Sequence, residues 1–245
     1  MEEILNSMMP YLAVAALTAA FTALDRKIVA AGFRKPYYAV HVAHNVAMVA
    51  LTAPDVWRTF TDFHHALEYP TNWPAIYLCY ALHIYHVCEY WRTMHRGDWL
   101  HHALMIGIAL PLGSLVPSGT LLGFSLFFTT GLPGGINYAA LFAERNGWIT
   151  HAVEKSINLP IHVWLRCPGC VAHSALTVAT ILSSSYATRF QIVAGLVAAA
   201  LTGWNGIYYM ALCFPPSNRL DGAPADANNR VRYVQDIPAT TGSHE

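Results

Sequence analysis

Charge is scarce in this chain. Of 245 residues, 11% are Asp, Glu, Lys or Arg, where a soluble domain carries about 25%. The 14 basic side chains are balanced by 14 acidic ones, so there is no basic excess to hold nucleic acid or to form a polybasic lipid-binding surface. Cysteine is also sparse: five residues, with Cys79, Cys88 and Cys213 inside apolar runs, do not make a disulfide framework. Cys167-Pro-Gly-Cys170 has the spacing of a redox motif but lacks the strand-to-helix context that such a motif needs. The opening Met1-Glu-Glu-Ile-Leu-Asn6 is acidic where a cleaved leader would be basic, so the first apolar run is expected to stay attached and to direct insertion.

Apolar residues are abundant, at 55% of the chain. Crossing a bilayer takes about 20 of them in succession. The composition therefore predicts an all-α fold, a polytopic membrane bundle of about seven transmembrane helices. A short segment, 1–7, precedes a transmembrane domain over 8–214, and a polar tail rich in Asn, Asp, Ala and Pro, 215–245, is expected to be disordered. The expected spans are Met8–Leu24, Tyr37–Ala53, Trp73–Trp91, Trp99–Val116, Thr120–Ala143, a bent sixth helix joining Ile157–Leu165 to Val171–Leu182, and Phe190–Phe214. A polar loop from Pro54 to Asn72, with a short interfacial helix holding His64 and His65, separates the second from the third. Pro111 is expected to kink the fourth span, and Gly131-Leu-Pro-Gly-Gly-Ile136 to interrupt the fifth.

Basic residues give an orientation. With the amino terminus lumenal and the tail cytosolic, eleven of them fall on the cytosolic side and only Arg58 and Arg189 opposite, leaving Arg166 unassigned. This is the asymmetry that the positive-inside rule asks for, and dropping one span would scramble it.

Ionisable groups inside spans cost about 2.5–3.5 kcal/mol each at a helix centre, so their clustering points to a lined interior. Asp98 precedes His101 by three residues and His102 by four, so one helical face presents all three. A carboxylate there would orient one imidazole and raise its basicity, as a general base or nucleophile requires. His101, His102 and Asp98 are the candidate catalytic residues. His41 and His44 in the second span, His83, His86 and Glu89 in the third, Asn137 in the fifth, and His162 and Arg166 in the sixth are candidates for a lipid cavity or polar interior.

The opening Asp98-Trp-Leu-His101-His102, the preceding Tyr85-His86 helix ending in Trp91-Arg92, and the glycine- and proline-broken span that follows resemble the TLC-domain family. That membrane group is named for translocation-associated, longevity-assurance and neuronal-lipofuscinosis proteins. The resemblance covers about Arg26 to Phe214. It implies six or seven helices around a lipid-sized cavity, a fatty acyl or sphingoid lipid as partner, and residence in the endoplasmic reticulum. In the ceramide synthases of that family, paired histidines matching His101 and His102 serve transfer of an acyl group from acyl-coenzyme A to a sphingoid amine. Acyl-coenzyme A would be a co-substrate here, and no bound cofactor or metal is expected. The chain departs from the synthase pattern in having Met105 three residues after the second histidine. It also has no counterpart of the synthases' downstream histidine-aspartate stretch between Leu121 and Glu144. These departures bring it nearer to members implicated in lipid sensing or membrane composition.

A reading from another class is a histidine-rich, metal- or haem-binding membrane oxidoreductase, because His41/His44 and His83/His86 are i, i+3 pairs suited to facing ligands. A retinal-type receptor is excluded by the absence of lysine from Phe190–Phe214.

Overall fold

The computed structural model describes residues 2–115, 118–183 and 188–214. The expected disordered tail, 215–245, lies outside them. Within the described residues the chain is helical, without strands. Seven long helices follow one another: α1 Glu2–Ala30, α2 Pro36–Thr61, α3 Trp73–Tyr90, α4 spanning 96–115, α5 Gly119–Arg145, α6 His151–Ser183 and α7 Arg189–Ala211. Four are long and apolar enough to cross a membrane: α1 over Met8–Ala30, α5, α6 and α7. The other three are those that carry the histidine pairs 41/44, 83/86 and 101/102, whose polar rings depress their apolarity.

Local chemistry sets several helix starts. Asn72 accepts from the Ala75 N–H at 3.3 Å and Pro74 occupies the first turn of α3, where its missing N–H costs nothing. Thr150 caps α6 through Val153, and Thr188 with Gln191 forms a reciprocal capping box on α7. Gly119 opens α5 with a positive φ of 51°, and a Cβ there would lie 1.9 Å from the Ala66 carbonyl oxygen. That close approach lets Thr120 N–H donate to Ala66 O at 2.9 Å, which pins the turn after α2 onto the start of α5.

Six helices close a ring in the order α2, α3, α4, α7, α6, α5 and back to α2, each packed on its two neighbours. α1 stays outside it against α2 and α3. Its tie is polar. Asp25, 3% exposed, accepts from the hydroxyls of Tyr85 and Tyr90, the latter at 2.6 Å, and Arg26 pairs with Glu89 at 2.6 Å. The expected end of the first span at Leu24 is thus corrected: buried tyrosine hydroxyls satisfy Asp25, and α1 runs on to Ala30. The segment 1–7 is continuous with α1 from Glu2. The loop expected from Pro54 also gives way, since α2 continues through that proline to Thr61.

The expected interruptions at Pro111 and Pro133 take a definite form. Three helices each contain one π turn: Met105–Ala109 in α4, Phe127–Gly131 in α5 and His162–Arg166 in α6. In each, the residue just before a proline donates five residues back: Leu110 to Met105, Leu132 to Phe127, and Cys167 to His162. Pro111, Pro133 and Pro168 follow immediately. A proline ring clashes with the carbonyl four residues before it in a regular α-helix. One extra residue in the preceding turn moves that carbonyl aside, so the helix widens and continues. The Cys167–Cys170 segment lies in this continuous helix, both thiols buried and free. Gly206 of α7 admits it closely, since a Cβ at Gly206 would stand 2.7 Å from Cys170 Cβ. Its role there is helix packing.

Candidate functional site

Polar side chains from the ring helices gather in two groups: Tyr37 and His41 of α2, His83 and His86 of α3, His101 and His102 of α4 and Tyr138 of α5 form one, and His162 and Arg166 of α6 with Tyr209 of α7 form the other. The histidine rings meet at centroid distances of 4.9 Å for His86/His102, 5.1 Å for His83/His102, and 5.4 Å for His83/His101, His41/His86 and His101/His102. His41 continues the chain to Tyr138 at 4.3 Å. The field of Arg166 reaches both His101 and Tyr138.

The pair itself is asymmetric. His102 is buried, with 4% exposure, while His101 is an exposed residue. His102 Nε2 lies 3.1 Å from His86 Nδ1, and His102 Nδ1 is buried without a partner. A buried bare lone pair is less costly than a buried bare N–H. The proton of His102 therefore sits on Nε2 and is donated to His86, leaving the Nδ1 lone pair free. His41 Nδ1–H donates to the Tyr37 carbonyl at 2.7 Å.

The orienting group for the histidine pair is His86, and this corrects the expectation for Asp98. Asp98 Oδ2 accepts from the His95 backbone N–H at 2.9 Å and forms a capping box that starts α4. No hydrogen bond joins it to His101 or His102 among the described residues. Glu89 is likewise outside the cluster, bonded to Arg26 and Thr22 of α1. His44 packs edge-on against Phe21 and bonds to Asn45 at 2.8 Å, away from the other rings. Asn137 is half-buried with an unpartnered Oδ1. His162 and Arg166 grip opposite ends of one contact: His162 stacks on Tyr209 at 5.7 Å, and the Arg166 guanidinium lies 4.5 Å from that ring's centroid. Among the described residues, no three His, Cys, Asp or Glu groups stand in an arrangement that could hold a metal ion.

Beyond these groups the interior is largely apolar. A cavity of about 550 Å³ lies between α4, α5, α6, α7 and the turn after α2, lined by apolar residues such as Met105, Leu122, Leu126 and Leu201 and by polar ones that include His64, Glu68, Thr129, His173 and Asn205. Its size falls within the roughly 300–1,000 Å³ of small-molecule sites. Met105 and Ala109, which bound one π turn, and Thr129 from another face into it. The same ring of helices holds both the cavity and the histidines, but none of His41, His83, His86, His101 and His102 lines the cavity; Thr129 does, while its neighbour Thr130 donates to Asn45 at 3.0 Å.

Tyr37, Tyr138 and His173 were not singled out from the sequence. Tyr37 lies one turn before His41 and Tyr138 next to Asn137, so helical spacing from the polar residues would have found both. His173 carried no such signal. No family model matches the chain, and neither a curated protein nor a solved structure matches it.

Proposed function

We propose that this protein is a TLC-like membrane protein of seven spans that takes a lipid chain into its interior cavity and presents the lipid's polar end to His101 and His102. The observation that carries the reading is that His83, His86, His101 and His102 gather, each ring within 5.4 Å of another, in the same ring of helices that holds the apolar cavity. His101, the exposed residue of the pair, meets the substrate; His102, held by His86, is the buried partner with a free lone pair.

In the enzymatic form the reaction is acyl transfer. A His101 nitrogen attacks the thioester carbonyl of an acyl-coenzyme A, the thiolate leaves, and a sphingoid amine then displaces the imidazole while His102 takes the amine proton. In the non-enzymatic form the same cavity binds the lipid and serves membrane lipid homeostasis. The membrane is that of the endoplasmic reticulum, with the amino terminus lumenal and the tail cytosolic. A carboxy-terminal glycosylation reporter should stay unmodified and an amino-terminal one should be modified; the reverse overturns the orientation.

The test of function is mass spectrometry of lipids that co-purify with the wild type and with His101→Ala and His102→Ala, together with a search for an acyl adduct after incubation with long-chain acyl-coenzyme A. An adduct on either histidine identifies the enzyme. Lipid retention that depends on the pair, without an adduct, identifies the binder. Equal lipid in all three proteins, with no adduct, makes the pair structural.

A further inference from the structure

The two ends of the cavity differ in chemistry. Where α2, α4 and α6 finish and α5 and α7 begin, its wall includes the exposed residues His64, Glu68 and Ser183, which form a rim. From that rim it runs inward along α7 from Gln191 to Asn205, a rise of about 21 Å. On each helix the lining residue farthest from the rim is Met105 in α4, Thr129 in α5, His173 in α6 and Asn205 in α7. The last three are polar, and each has a polar companion on the wall one turn nearer the rim: Ser125, Thr177 and Thr202. Apolar residues such as Leu122 and Ala198 separate this polar inner end from the rim.

No charge waits there. Among the described residues no Lys or Arg lines the cavity, and its one carboxylate, Glu68, is at the rim. His173 is engaged, with Nε2 3.2 Å from Thr177 Oγ1 and Nδ1 buried. An ion carried to the inner end would meet no opposite charge and would have to give up its own. The end of a ligand that lodges there is therefore uncharged.

The hydrogen bonds narrow the choice further. Ser125 and Thr202 bond to each other at 3.2 Å across the seam between α5 and α7. One turn deeper on the same two helices stand Thr129 and Asn205, and α7 packs on the π turn that carries Thr129. Thr129 donates its hydroxyl proton to the Ser125 carbonyl at 2.7 Å, so it offers a ligand lone pairs. Asn205 Oδ1 is buried without a partner, which leaves its N–H₂ as the end that a ligand can meet. One acceptor and one donor thus flank the same place. A hydroxyl answers both, since it donates and accepts through one atom.

We infer that the inner end of the cavity is a hydroxyl site, where Thr129 accepts from and Asn205 donates to the hydroxyl of an uncharged lipid whose hydrocarbon part lies along the leucines toward the rim. The inference rests on the lipid reading above and adds to it the chemistry of the ligand's polar end.

The test measures binding of four radiolabelled probes of equal chain length to the full chain in mild detergent at pH 7: oleyl alcohol, oleate, oleylamine and octadecene. The alcohol should bind most tightly, about three- to tenfold better than the hydrocarbon and about tenfold or more better than either ion. Thr129→Val and Asn205→Leu should each bring the alcohol toward the hydrocarbon's level and leave octadecene unchanged. Asn205→Asp supplies a counter-ion, so it should move the preference from the alcohol to oleylamine. Should Asn205→Leu fail to fold, Thr129→Val decides. Equal binding of alcohol and octadecene, or an alcohol advantage that survives in a folded variant, overturns the hydroxyl site and leaves the lipid cavity standing. Tightest binding of oleate or oleylamine by the wild type does the same. Binding of none of the four overturns both.

Discussion

The seam between α2 and α5 is testable at one glycine. A methyl group at Gly123 would fall 1.9 Å from Asp55 Oδ2, 2.6 Å from its Cγ and 2.7 Å from its Cβ. Turning the carboxylate does not clear the Cβ contact, so α2 and α5 must separate or Asp55 must leave its place. That place is fixed: Asp55 is buried and accepts from Asn72 at 2.7 Å, while Asn72 also donates to the Leu51 carbonyl at 2.8 Å. Losing a hydrogen bond to a charged group costs about 1.5–3 kcal/mol, and overpacking adds about 1–3 kcal/mol. The better helix propensity of alanine returns about 1 kcal/mol. Gly123→Ala should therefore destabilise by about 1.5–5 kcal/mol, or roughly 3–20 °C in melting temperature for a domain of this size. The assay is thermal unfolding in mild detergent. Gly107→Ala is the control, because a Cβ there meets nothing within 4 Å, and it should be neutral or stabilising. In an Asp55→Ala background the Gly123→Ala cost should fall below about 1 kcal/mol, the difference being the coupling between the two sites. If Gly123→Ala melts with the wild type, or if removing Asp55 brings no relief, the α2–α5 contact is not as described.

Three further outcomes are expected. Tyr85→Phe leaves Asp25 short of a donor in a buried site and should cost about 1.5–3 kcal/mol, whereas Glu89→Gln, whose partner Arg26 has a side chain 69% exposed, should cost less than about 1 kcal/mol; equal losses on melting would contradict the burial of the Asp25 tie. His86→Ala should lower whatever activity or adduct formation the histidine pair shows by roughly 10–100-fold, and His86→Asn, whose amide oxygen still accepts, should recover part of it. Unchanged activity in His86→Ala would remove His86 from its orienting role. Outside the spans, the exposed His65–Asp62 pair at 2.7 Å predicts a pH window. The Asp62 hydrogen bond raises His65 above its usual 6.5, a contribution fully present below 6.5 and lost as pH rises through the raised value. The same bond lowers Asp62 below 3.8, a contribution present above 3.8 and lost as pH falls through the lowered value. Amide protection in the 62–69 turn, corrected for intrinsic exchange, should therefore be greatest between about pH 4 and 6.5, and Asp62→Asn should flatten the profile.

The helices were readable in the sequence because an apolar run is a local property, and the two errors of extent have local causes. Asp25 reads as the end of a span when taken with Arg26 and Lys27, yet the residues that make it tolerable, Tyr85 and Tyr90, lie about sixty positions away. Pro54 reads as a break, yet α2 carries it. The candidate site was legible by residue type, since His41, His83, His86, His101, His102 and Arg166 all reach the ring interior. The partner of each was not. Spacing within one helix proposed Asp98 for the histidine pair, because i, i+3 and i, i+4 neighbours are the only ones a single helix reveals. His86, on another helix, takes the role by virtue of the α3–α4 packing. His44 and Glu89 follow the same rule in reverse, each correct in chemistry and turned toward α1 by its position on the helix.

The prolines show where local chemistry and function join. Pro111, Pro133 and Pro168 each follow a π turn in the same register, and the turns lie in three helices of one ring that follow one another in the chain. A π turn adds a residue without ending the helix, so it pushes the side chains of that turn inward and swings the register of those beyond it. In α4 and α5 the turns place Met105, Ala109 and Thr129 on the cavity wall; in α6 the turn begins at His162 and ends at Arg166, which puts both on Tyr209. A regular α-helix through 162–166 would rotate Arg166 by about 100° relative to the preceding turn, out of line with Tyr209. Replacing Pro168 with alanine removes the steric reason for the wider turn. If the bulge is held by the proline, Pro168→Ala should let the helix return to regular hydrogen bonding and raise the melting temperature in mild detergent. An unchanged melting temperature would mean that packing against Tyr209 sets the turn, and that the proline follows it.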